Sequence, residues 1–179
     1  MKSILLSAAL LAGTAHAAGF SLSSTDIAAG QALSERQVFK GFGCDGGNIS
    51  PQLSWSGAPA ATRSFAVTVY DPDAPTGSGW WHWTVFNLPA STHALPAGAG
   101  TPGGALPPGA GQGRTDFGQT GVGGACPPVG DKAHRYQFTV WALKVDHLPL
   151  DEHASGAMVG FMLKANALAT ASLTATYGR

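Results

Sequence analysis

The chain has 179 residues, 44% of them apolar and 11% charged, and its ten Lys and Arg balance ten Asp and Glu. That is enough apolar material for one domain core, and with no basic field, electrostatic binding of nucleic acid or of an anionic membrane is excluded. With 25 Gly and 12 Pro, turns dominate, which excludes a coiled coil or helical bundle.

Met1-Lys2 is a short positive start, and residues 4–12 form an apolar run too short to cross a bilayer. Ala15-His16-Ala17 then places small residues at the two positions a signal peptidase reads. Residues 1–17 therefore read as a secretory signal peptide cleaved after Ala17, with a frayed hydrophobic terminus as the alternative. Residues 18–179 read as one exported domain, in the periplasm or secreted beyond it. No later run reaches the ~18 apolar residues of a transmembrane helix. Export puts the only two cysteines, Cys44 and Cys126, in an oxidising compartment, where a disulfide is the leading reading. It would close a loop of about 80 residues and contribute roughly 4 kcal/mol. The competing reading makes Cys126 a nucleophile with His134 as its base.

Residues 20–39 are mildly amphipathic and open as a strand, and residues 41–48 are a glycine-rich loop. Residues 64–70 alternate with Phe65, Val67 and Val69 on one face, the pattern of a strand. Two prolines and two glycines in residues 71–79 end it. Residues 81–88 read as a second strand, stopped by Pro89. Residues 90–133 are a long segment of Gly, Pro, Ala and small polar residues, and loops of that length often carry function. Residues 134–143 form a third strand with Tyr136, Phe138 and Val140 on one face. From Asp151 the period becomes helical: Met158, Phe161, Met162, Ala165 and Leu168 form a stripe expected to face the core, capped by Asp151 or Ser155. Residues 171–177 return as a closing strand. Long turns between strands and one late helix imply a mainly β, antiparallel fold.

Titratable groups gather at strand ends. Asp71 and Asp73 flank Pro72, and an extended backbone would send both carboxylates to one side. His82 follows, set among Trp80, Trp81 and Trp83, and His134 opens the third strand. Such groups beside aromatics and rigid turns can build a small pocket. Equally, an Asp before Pro can cap a turn, and a lone His82 can be a satisfied core residue.

Asp71-Pro72-Asp73-Ala74-Pro75, then residues 81–89, then Cys126-Pro127-Pro128 with His134-Arg135-Tyr136, resemble the signatures of the phosphatidylethanolamine-binding protein family. Order and spacing are similar to its bacterial YbhB/YbcL-type, Raf kinase inhibitor-like branch, from about Phe20 to Arg179. The resemblance implies an antiparallel β-sheet sandwich with peripheral helices and a small anion pocket for phosphate-type groups. It assigns to that pocket Asp71, Asp73, Pro75, His82, Gly124, Cys126, Pro127, His134 and Tyr136. Two aspartates would repel a phosphate, so they are expected to accept hydrogen bonds from the backbone and from His82, or one to be protonated. The anion's donors would then be His82 or His134, Tyr136 and the backbone amides of residues 124–126.

Three functions follow. The first is an exported binding protein for a phosphate-bearing small molecule or lipid head group. The second is a modulator or inhibitor of a partner protein. The third is a small hydrolase or metal-dependent enzyme using Asp71, Asp73, His82 and His134, although HExxH, G-x-S-x-G and Walker motifs are absent. No cofactor, resident metal or nucleic-acid partner is assigned, and the tryptophans near the pocket leave room for a homodimer.

Overall fold

The computed structural model describes residues 19–179; the expected signal peptide, residues 1–17, lies outside the described residues. In chain order the strands are β1 (Ser21–Ser23), β2 (Lys40–Gly41), β3 (Cys44–Asp45), β4 (Leu53–Ser56), β5 (Ser64–Asp71), β6 (Trp80–Pro89), β7 (Ala94–Leu95), β8 (Gly111–Gln112) and β9 (His134–Leu143). Helix α1 (Gly156–Asn166) and strand β10 (Ala167–Tyr177) complete the chain. The main sheet has the order β10-β9-β5-β6-β8, a second sheet the order β1-β4-β7, and β2-β3 is a small hairpin; every strand pair is antiparallel.

The alternation expected in β5 is present, and both faces of the strand are buried. Phe65, Val67 and Val69 join Trp83, Val85, Phe138 and Val140 in the core against the small sheet. On the other face Ala66, Phe86 and Leu143 pack with Val159 and Leu163 of α1. A sheet covered on both sides needs near-continuous apolar strands, and residues 64–71 and 80–89 supply them.

Helix α1 corrects the expected stripe. Ser155, not Asp151, caps it, its hydroxyl accepting from the Met158 amide at 3.2 Å. The buried face is Gly156, Val159, Gly160 and Leu163, whereas Met158 and Phe161 are 50% and 68% exposed and Leu168 belongs to β10. Trp81 explains this: a Cβ at Gly156 would collide with its Cβ and ring, and one at Gly160 would lie 3.0 Å from its ring edge. The helix approaches the sheet along its smallest residues, and the larger apolar ones are left outside.

Cys44 and Cys126 form a disulfide, with Cα atoms 6.0 Å apart, so Cys126 has no free thiol to act as a nucleophile. The bond ties the β2–β3 hairpin to the 126–128 turn. Arg179 ties the same two loops, donating to the Pro127 carbonyl at 2.6 Å and the Gly43 carbonyl at 2.9 Å.

Candidate functional site

β5 ends at Asp71 because Pro72 cannot continue the ladder. Asp71 turns the chain itself: its Oδ1 accepts the Asp73 amide at 2.8 Å. Its Oδ2 accepts from His134 Nδ1 at 2.7 Å, and both side chains are buried. The turn-capping and pocket readings of Asp71 therefore hold together. His134 Nε2 lies 3.4 Å from Asp131 Oδ2, so this imidazole sits between two carboxylates.

Asp73 does not share the hollow with Asp71. It accepts from the Arg135 amide and Nε at 2.9 Å each, and from Nη2 at 2.7 Å. The Arg135 guanidinium holds its carboxyl down at about 2. The turn after Asp71 breaks the extended alternation that would have put both carboxylates on one side.

His82, buried on β6, does not bond Asp71 as expected. Its Nδ1 lies 2.7 Å from the Gly123 carbonyl, with the Gly124 peptide beside it. Its ring meets Phe117 edge-on at 5.4 Å and Tyr136 at 5.1 Å. Burial holds its pKa below the ordinary histidine value. Tyr136, 1% exposed, has its phenol pKa pushed up by burial and by the Asp71 carboxylate, so it stays protonated.

Asp71, His82, His134 and Tyr136 line one hollow of about 200 Å³. Phe42, Trp80 and Phe117 form its aromatic walls, and Pro75, Cys126, Pro127 and Pro128 its rim. No Lys or Arg lines it. Two donors there have no hydrogen-bond partner among the described residues: Tyr136 Oη and Trp80 Nε1. Gly124 lies behind the wall. Its amide donates to Asn48 Oδ1 at 2.7 Å, and the Ala125 amide to the Gln37 carbonyl at 3.0 Å. These two amides are therefore taken and do not form the expected anion nest. A Cβ at Gly124 would collide with the Gln37 carbonyl, which explains the glycine.

Sequence reasoning missed Trp80, Phe117 and Phe42 as wall residues. Trp80 stands in the tryptophan cluster already singled out, whereas Phe117 sits in a glycine-rich stretch without periodicity. Among the described residues, no three His, Cys, Asp or Glu side chains are grouped to hold a metal ion, and no helix is long and apolar enough to cross a membrane.

The model of the family described as phosphatidylethanolamine-binding protein matches residues 23–178. The chain is 58% identical to YbcL of Escherichia coli K12 over 180 residues, covering 99% of this chain and 98% of that protein. It is 57% identical to YbhB of the same organism over 156 residues, covering 87% of this chain and 98% of YbhB. A crystal structure of E. coli YbcL, described as a new member of the mammalian PEBP family, superposes with a TM-score of 0.89 at 60% identity, covering 90% of this chain and 99% of that one. A homolog from Chlamydia trachomatis superposes with a TM-score of 0.75 at 31% identity, covering 90% and 98%.

Proposed function

Because the chain belongs to the phosphatidylethanolamine-binding protein family, we propose that its hollow receives a phosphate-type oxyanion, free or as part of a larger ester. The two partnerless donors, Tyr136 Oη and Trp80 Nε1, carry this reading. A buried donor left unpaired costs about 1–3 kcal/mol, which a ligand oxygen accepting from it recovers. With no Lys or Arg in the wall, affinity comes from hydrogen bonds and from a rim fixed in advance. Prolines, the disulfide and Arg179 hold that rim, so little ordering is needed on binding. The disulfide removes the separate Cys126 nucleophile reading, and the four residues of the hydrolase alternative are divided, Asp73 pairing with Arg135 while Asp71, His82 and His134 line the hollow.

Export to the periplasm fits the same molecule. The disulfide suits an oxidising compartment, and the likeness to YbcL runs over 99% of the chain, its leader-like start included.

Calorimetric titration of inorganic phosphate into the protein and into Tyr136→Phe tests the binding reading. Saturable binding is expected, weakened about tenfold in the variant, the equivalent of one hydrogen bond. Heats that never saturate in the wild type would overturn it.

A further inference from the structure

We propose that Phe42 selects the body of the ligand: the hollow favours an oxyanion ester whose apolar group lies against the Phe42 ring over an ester that has none. This rests on the binding reading above and names the kind of ester that site accepts.

The backbone at Phe42 carries the inference. Gly41 of β2 pairs with Cys44 of β3, so Phe42 and Gly43 are the two residues of the hairpin turn. Their φ angles are 54° and 81°, and the tight two-residue turn that suits a twisted hairpin needs positive φ at both places. Asn, Asp and Gly are favoured at the first place, whereas a bulky side chain there is strained against its own backbone. Burial does not offset that strain. The ring meets Phe39 and Phe117, with ring centres 5.7 and 5.6 Å away, yet Phe42 remains 69% exposed. The surroundings hold the turn in place regardless: the Cys44–Cys126 disulfide follows it, and Arg179 Nη1 donates to the Gly43 carbonyl at 2.9 Å. A local rule broken beside a pocket, without a matching gain in packing, marks a residue kept for what it binds.

Its position says what that is. Phe42 lines the same hollow as Tyr136 and Trp80, and its exposure puts it at the mouth. The partnerless donors of Tyr136 and Trp80 are buried and take the oxyanion inside, so the rest of an ester leaves past the mouth. The rim there is apolar: Pro75, Pro127 and Pro128 line it, and Val129, next in the chain, is 78% exposed. An apolar ester group laid on the Phe42 ring removes both surfaces from water, and the fixed rim keeps the ordering cost small.

Calorimetric titrations of the full chain at pH 7 with methyl phosphate and butyl phosphate, monoesters of like charge that differ by three methylenes, test the preference. Butyl phosphate is expected to bind about tenfold tighter, from covering roughly half of the added methylenes. Equal affinities, with inorganic phosphate still binding, overturn the inference and leave the binding reading standing; binding of none of the three removes that reading itself. Phe42→Asn, which suits the turn, should bring the butyl-to-methyl ratio close to one while the urea midpoint stays level or rises. Phe42→Leu, apolar and still strained, should keep most of the ratio. A ratio retained in Phe42→Asn overturns the role given to Phe42, because the apolar group then lies elsewhere. A midpoint that falls in Phe42→Asn overturns it as well, because the ring then serves folding.

Discussion

His134 Nδ1 and Asp71 Oδ2 stand 2.7 Å apart with both side chains buried, which joins the first residue of β9 to the last of β5. Strand register sets the pair, since Tyr70 lies opposite Gln137 in the β5–β9 ladder. Asp71 holds the turn and the histidine at once, so removing its carboxylate strands two donors, the buried His134 Nδ1–H and the part-buried Asp73 amide. Asp71→Ala is therefore expected to cost about 3–5 kcal/mol, the range for breaking a buried pair. Asp71→Asn keeps one acceptor oxygen and should cost distinctly less. Urea midpoints at a common m-value give both numbers, and equal losses would show that the retained oxygen does not matter.

Tyr136 should show opposite signs in stability and in binding. Its hydroxyl is buried with no acceptor for its proton among the described residues, while its ring packs in the core. Tyr136→Phe keeps the ring and removes the unpaired group, so stability should rise by about 1 kcal/mol. A group that costs stability and contributes affinity is expected at a binding site. A midpoint that falls in Tyr136→Phe would show that the hydroxyl has an unseen partner in the free protein.

The glycines of α1 should rank by what their missing Cβ would meet. At Gly156 it would collide with the near side of Trp81, attached to rigid backbone, so Gly156→Ala should cost about 1–3 kcal/mol. At Gly160 the contact is 3.0 Å to the far ring edge, which can yield, so Gly160→Ala should cost less. Phe161→Glu, on the exposed face, should stay within about 0.5 kcal/mol. Thermal midpoints of the three variants check the order, and a large loss in Phe161→Glu would mean that this face is covered in solution.

That helix shows where sequence reading ends. β5, β6 and β9 were legible because each holds several apolar periods, and β9 was expected over the residues it occupies, 134–143. β7 and β8, two residues each, contain no period at all. The helical stripe was read as though the largest apolar residues must face inward, but closeness to Trp81 selected glycines. At the site, Asp71, His82, His134 and Tyr136 were found because motifs name them. Asp73 was misplaced because alternation does not survive a side-chain-capped turn. The amides of Gly124 and Ala125 were misplaced because their acceptors, Asn48 and Gln37, lie far away in sequence.

His82 ties the site to the pH dependence of folding. Burial lowers its folded-state pKa below the ordinary 6.5, despite the opposing pull of the Gly123 carbonyl, the Asp71 carboxylate from β5 and Asp116 from the loop before Phe117. Tyr136, facing it from β9, stays neutral. For a base with a depressed folded pKa, the unfolded chain takes up the proton first as pH falls, so its contribution to stability is complete above about 6.5 and declines below that. The urea midpoint should therefore drop between pH 7 and pH 5, and His82→Phe, an uncharged ring in the same space, should flatten that part of the curve. Saturating phosphate should lift the wild-type curve by mass action and lift that of His82→Phe less. An unchanged slope in His82→Phe would mean that another group titrates in this window and that the His82 ring is not held neutral by its burial.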